Sequence, residues 1–173
     1  APFIYQEADG LKELIAGGYL LRDGGEVGFE ISVAADSALG VWRALMDAGA
    51  AHDITPYGTE AMHVLRAEKG YAIVGQETDG TMTPGDLGMD WIVNMTKGDF
   101  IGRDALLRQR EHGLERELAC LVVDAADADP QGYEPILDGR ERIGYVASGG
   151  YGHTVEKTIA LAYLPAAHLE PGT

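Results

Sequence analysis

Residues 18–36 read "GYLLRDGGEVGFEISVAAD". Two apolar runs flank Asp23, Gly24 and Gly25. That pattern predicts a pair of strands joined by a tight turn, where glycine supplies the positive φ that other residues resist. Successive side chains of a strand point to opposite faces. Val27, Phe29, Ile31 and Val33 therefore share one face of the second strand, and Gly28, Glu30 and Ser32 the other. Glu30 stands in mid-strand either as a solvated charge or as the acceptor for a ligand.

Outward from this hairpin, Asp36 or Ser37 is placed to cap a helix through "ALGVWRALMDAG". Leu39, Trp42, Leu45 and Met46 follow helical spacing there, and Gly49 is the expected stop. A second helix follows "ITPYG", with Thr59 at its start and Gly70 at its end. Residues 71–93 alternate short apolar runs with Gly, Asp, Thr and Pro, a pattern of irregular chain. "GRDALLRQREHG" predicts a third helix. From Leu118 onward the strands "LACLVVD", "EPILD", "RIGYVAS" and "KTIALAYL" alternate with turns. The reading is α+β: an antiparallel-sheet α/β lobe over residues 1–114, then a small all-β domain over residues 115–173, either barrel or sandwich.

Composition narrows the function classes. The chain has 173 residues, with 28 acidic against 13 basic side chains and a formal charge of −15. Nucleic acid is not an expected partner, because its binding rests on neutralising phosphates. A membrane is not expected either, since no segment approaches the roughly 18 apolar residues of a spanning helix. A lone Cys120 in an apolar strand suits a reducing cytoplasm and is expected to be small buried filler. The chain opens on "APFIYQEADG" without an initiator Met, so the natural polypeptide is expected to begin elsewhere, unless a Met or short leader was removed.

Several motif readings fail on context. The five histidines show no metal-type spacing with one another or with Cys120. "GGEVGFE" precedes a strand and lacks the helix N-terminus of a phosphate loop. "SGGYGHT" lacks the glycine spacing of a nucleophile elbow. Glu30 remains the best candidate, because a strand carboxylate accepts paired, charge-assisted hydrogen bonds from an amidine-like edge such as a pterin's. Arg66 and Glu68, two residues apart on the second helix, point to different faces. Tyr57, Tyr71 and Tyr151 lie at element ends, where rings wall pockets or pack at rims.

Three stretches, "GEVGFEISV", "TPYGTEAMHVLRAEKGYAIVGQETDGTMTPGDLGMDWIV" with "GDFIGRDALL", and "IGYVASGGYGHTVEKTIALAYLP", together resemble the folate-binding aminomethyltransferase family that includes the glycine cleavage T-protein. The middle stretch is also similar to the aminomethyltransferase-like region of the sarcosine oxidase α subunit, and the last to dimethylglycine dehydrogenases. The resemblance implies a C-terminal β-barrel and a one-carbon transfer from an aminomethyl or N-methyl amine to tetrahydrofolate. FAD is implied only for a region or partner subunit outside this stretch. Glu30 takes the place of the family's pterin-binding Glu, and Glu30, Tyr57, Arg66 and Tyr151 form the candidate folate-binding set. Asp23, Gly24 and Met62 depart from the family's Tyr, Thr and Arg. No catalytic residue is expected within the chain, since the family's catalytic Asp lies in a preceding domain. The expected partners are folate and a small amine, with partner subunits or a missing N-terminal domain. The alternative is a non-catalytic folate-binding or subunit-assembly module.

Overall fold

The computed structural model describes residues 15–21 and 28–170. The chain divides into two compact units, Ala1–Met62 and His63–Thr173.

In the first unit, β1 (Ile15–Leu21) pairs antiparallel with β2 (Gly28–Val33), in a register that sets Tyr19 opposite Glu30 and Leu20 opposite Phe29. The turn expected at Asp23, Gly24 and Gly25 lies outside the described residues. α1 (Ala38–Gly49) follows, with Val41 buried on its inner side. Ser37 occupies the N-cap position, but its hydroxyl donates to Asp36 Oδ1 at 3.2 Å and caps no helical N–H. The α-helix ends at Gly49, as expected. The chain runs on through a 3-10 turn at Ala50–His52 and reverses at Asp53, whose φ is 55°. Gly49 is also required for a close approach: a Cβ there would meet Ile54 side-chain atoms at 2.6 Å.

α2 (Thr59–Glu68) begins at the predicted Thr59 and is terminated by Gly70, whose φ of 72° is the left-handed conformation glycine adopts readily. α3 (Arg103–His112) is bracketed by Gly102 and Gly113, both at positive φ. Between these helices the chain is irregular as expected, held by local side-chain bonds such as Asp79 to Thr81 and Asn94 to Thr96.

β3 (Glu117–Val123), β4 (Pro135–Asp138), β5 (Glu141–Gly152) and β6 (Lys157–Leu164) form an antiparallel sheet in the order β3-β6-β5-β4. β6 is the spine, buried from Thr158 to Leu164. Cys120 corrects its expectation: strand alternation puts it with Val122 on the exposed face of β3. β5 carries a register shift between Val146 and Ser148. An extra residue on one strand breaks the alternation of faces, and Val146, Ala147 and Ser148 are all buried in succession. The glycines of "SGGYG" answer to sheet packing. A Cβ on Gly149 would stand 2.8 Å from the Pro130 carbonyl oxygen, and one on Gly150 would touch Val64 of α2 at 3.5 Å.

Candidate functional site

Glu30 lies on the face of β2 opposite Ile31 and Val33, which are half-buried, while Glu30 itself is exposed. Among the described residues its carboxylate makes no hydrogen bond or ion pair. The two-stranded ladder fixes its backbone. Tyr57, in the same unit, is 68% exposed in the segment between the Asp53 reversal and α2. An unspent strand carboxylate and an uncovered ring suit a planar ligand with adjacent N–H donors.

The other two candidates lie on α2 and β5, which are joined by the bond from Arg66 to Ser148, and there the structure reveals residues that the sequence pattern missed. Arg66 is 2% exposed and Glu77 1% exposed. Arg66 Nη1 pairs with Glu77 Oε1 at 2.8 Å and also donates to the Tyr71 carbonyl at 3.1 Å. Its Nη2 donates to Ser148 Oγ at 3.0 Å, and the Ser148 hydroxyl donates to Glu77 Oε1, closing a three-residue ring. The second Glu77 oxygen accepts the Ile73 N–H at 2.7 Å. The Glu77 carbonyl accepts the Tyr163 hydroxyl at 2.7 Å. Burial, with the neighbouring Tyr145 and Asp86 adding to it, pushes the Tyr163 hydroxyl up to about 12. Only Arg66 Nε is left without a partner among the buried side-chain atoms described.

These contacts tie the C-terminal end of α2, the loop through Glu77 and strands β5 and β6 into one frame. Arg66 is thus committed inside the protein and offers no exposed guanidinium surface. A buried pair of this kind holds geometry more than it adds stability, because desolvation offsets much of the Coulombic attraction. Removing either partner is costly, since it strands the other charge. Glu77 and Ser148 had no signal of their own: Glu77 sits in an irregular stretch, and Ser148 precedes glycines whose close packing only the assembled sheet explains.

Tyr151 stands near the end of β5, partly exposed, with its ring edge-to-face against His153 at 5.1 Å between centroids. The hairpin beyond it is strapped to α2, where Glu68 Oε1 accepts the Thr154 N–H at 2.7 Å. Partial burial alone would push the Glu68 carboxyl up. Hydrogen bonds from Thr154 and Val155, with His153 nearby, outweigh it and hold the group below the usual carboxylate range. Arg66 and Glu68 do face different ways, but both are engaged by neighbours and neither is an idle surface charge. Among the described residues no cluster of His, Cys, Asp or Glu is arranged to hold a metal ion, and no helix is long and apolar enough to cross a membrane.

Comparison with known proteins gives this geometry its context. Residues 21–97 match the family model of the GCVT N-terminal domain, and residues 116–173 match that of the glycine cleavage T-protein C-terminal barrel domain. The chain is 41% identical over 150 residues to an aminomethyltransferase of Symbiobacterium thermophilum, covering 86% of this chain and 40% of that protein. It is 55% identical over 104 residues to the sarcosine oxidase subunit alpha of Corynebacterium sp. strain U-96, covering 59% of this chain and 11% of that subunit. The crystal structure of the glycine cleavage system aminomethyltransferase T from Bartonella henselae superimposes with a TM-score of 0.75 at 28% identity, covering 87% of this chain and 42% of that one. The chain therefore spans well under half the length of these relatives. Its mixed helical and antiparallel architecture, ending in a barrel domain, and its two family matches make it a member of the aminomethyltransferase family of the glycine cleavage T-protein.

Proposed function

We propose that this chain is the folate-holding part of an aminomethyltransferase-type enzyme, one that moves a one-carbon unit from an aminomethyl or N-methyl amine to tetrahydrofolate. The observation that carries the reading is Glu30, an exposed carboxylate on a paired strand with no partner among the described residues. Bound tetrahydrofolate supplies the nitrogens that accept the one-carbon unit. Glu30 accepts two N–H groups from the amidine-like edge of the pterin and fixes its orientation. Tyr57, in the same unit as Glu30, walls the ligand. Arg66 is a positioning residue, keeping α2 and β5 in register through Glu77 and Ser148.

A functional division into residues 1–114 and 115–173 belongs to the same proposal, as does a cytoplasmic setting, which a single cysteine suits. FAD, the amine-oxidising chemistry and the catalytic Asp are assigned to chain or subunits beyond this one. The sarcosine oxidase relative supports that assignment, since this chain covers only 11% of it.

Titration of the chain with tetrahydrofolate, followed by melting temperature and calorimetry, tests the proposal. A ligand at about 100 times its Kd stabilises the fold by roughly 2.7 kcal/mol. Wild type should melt higher with tetrahydrofolate, and Glu30→Gln should bind at least about tenfold more weakly, a loss of about 1.4 kcal/mol. Absence of any folate-dependent shift in wild type, or equal affinity of the variant, would sink the reading and favour an assembly module.

A further inference from the structure

We infer that the second unit carries a separate binding site for a small anion bearing carboxylate or phosphate groups, in the cleft between α3 and the loop Thr81–Asp86. The cleft has a volume of about 460 Å³ and is lined by Thr81, Asp86, Arg108, Gln109, His112 and Arg116, among others. That size is in the range of small-molecule clefts, roughly 300 to 1,000 Å³.

Its floor is rigidly made. Thr83 N–H donates to Asp86 Oδ2 at 2.8 Å, and Gln109 Nε2 donates to Thr83 Oγ1 at 2.8 Å and to Asp86 Oδ1 at 3.4 Å. Asp86 is 5% exposed, and both of its oxygens are spent on these bonds. Asp79, beside the floor, spends Oδ1 on the Thr81 N–H and hydroxyl.

The walls are cationic. Arg116 lies over the Tyr163 ring at 5.5 Å and donates to Thr81 Oγ1 at 3.4 Å. His112 Nδ1–H donates to the Arg108 carbonyl at 2.7 Å, so Nε2 is an acceptor in the neutral ring and a donor to an anion in the imidazolium. Neither Arg108 nor Arg116 forms an ion pair among the described residues. In a chain with 28 acidic and 13 basic side chains, carboxylates to neutralise two guanidinium groups are plentiful. Glu115 also lines the cleft and still pairs with neither. Two arginines with no carboxylate at ion-pair distance among the described residues line one cleft over a pre-bonded floor, and guanidinium groups so placed suit an external oxyanion. The site does not depend on the folate reading, because Glu30 and Tyr57 contribute nothing to its lining.

The test is calorimetric titration of the full chain with citrate and, separately, inorganic phosphate, with the His112 ring resonances followed by NMR. Arg116 also packs on Tyr163, so Arg108→Ala and His112→Ala are the variants that separate binding from folding. The expected result is saturable binding of at least one probe with displaced His112 resonances, weakened fivefold or more by Arg108→Ala, while Glu30→Gln binds like wild type. Citrate alone would assign a carboxylate ligand, phosphate alone a phosphoryl ligand, and both a general oxyanion site. The inference is overturned if neither probe saturates, or if both variants bind as tightly as wild type.

Discussion

Glu30 and Glu77 are the same side chain in opposite circumstances. Glu77 is 1% exposed, and its oxygens are committed to Arg66, Ser148 and the Ile73 N–H. Glu30 is exposed on β2 and committed to nothing among the described residues. A buried charge persists only when it is paired and hydrogen-bonded, so Glu77 is fully spent on the fold. A strand carboxylate in solvent has no such requirement, and the proposed folate contact draws on that. The difference separates a residue that holds the frame from one that can hold a substrate.

That contrast breaks most visibly at Glu77. Glu77→Ala leaves Arg66 buried without its counter-charge, and the expected loss is about 3 to 5 kcal/mol of stability, read from urea denaturation. Loss below about 1 kcal/mol would mean that water or a shifted Arg66 replaces the pair. Gly144→Ala comes next. Its Cβ would be driven against the Tyr163 carbonyl, and overpacking of this kind costs about 1 to 3 kcal/mol. Glu30→Gln should stay within about 0.5 kcal/mol of wild type in stability while losing about tenfold in folate affinity, the reverse of the Glu77 pattern.

The smallest effect belongs to the hairpin strap. Glu68→Gln should cost under about 1 kcal/mol at neutral pH, since one charge-assisted bond to a partly solvated backbone group is replaced by a weaker one. Its pH dependence has a definite sign. The folded carboxyl sits below its ordinary value of 4.5, so the strap's contribution is present above that value and disappears as pH falls through the lower, folded pKa. Wild type and Glu68→Gln melting curves should therefore converge in acid. At the alkaline end Tyr163, raised from 10.0 to about 12, works the other way. The unfolded phenol ionises first, and stability falls as pH rises from about 10 toward 12. A Tyr163→Phe variant should flatten that limb in a pH series of melting temperatures.

Local pattern made much of the fold legible. Helical spacing and bracketing glycines marked α2 and α3, and short β-rich runs between turns marked β3 to β6, because both signals are set by residues near in sequence. Gly49 marked the end of α1 in the same way, but its second role was not legible. A glycine after a helical run looks like a stop, whereas its contact with Ile54 depends on how the chain returns past Asp53. Cys120 shows the limit for strands: alternation assigns a face, but only the assembled sheet decides which face is covered.

By itself the sequence determined the two strands around Gly24 and Gly25 as a pattern and the side of β2 on which Glu30 stands. Parity along a strand is a property of the chain, independent of what packs on it. The family signature also rested on local residues, and the comparisons agree with it. Only the tertiary structure decided what became of Arg66, Glu77 and Ser148. Their bonds join residues 71 and 82 positions apart, and a charge in sequence carries no mark of a partner that distant. Burial decides whether such a charge is spent inside, as in Arg66, or left available, as in Glu30, because desolvation makes an unpaired interior ion too costly to keep.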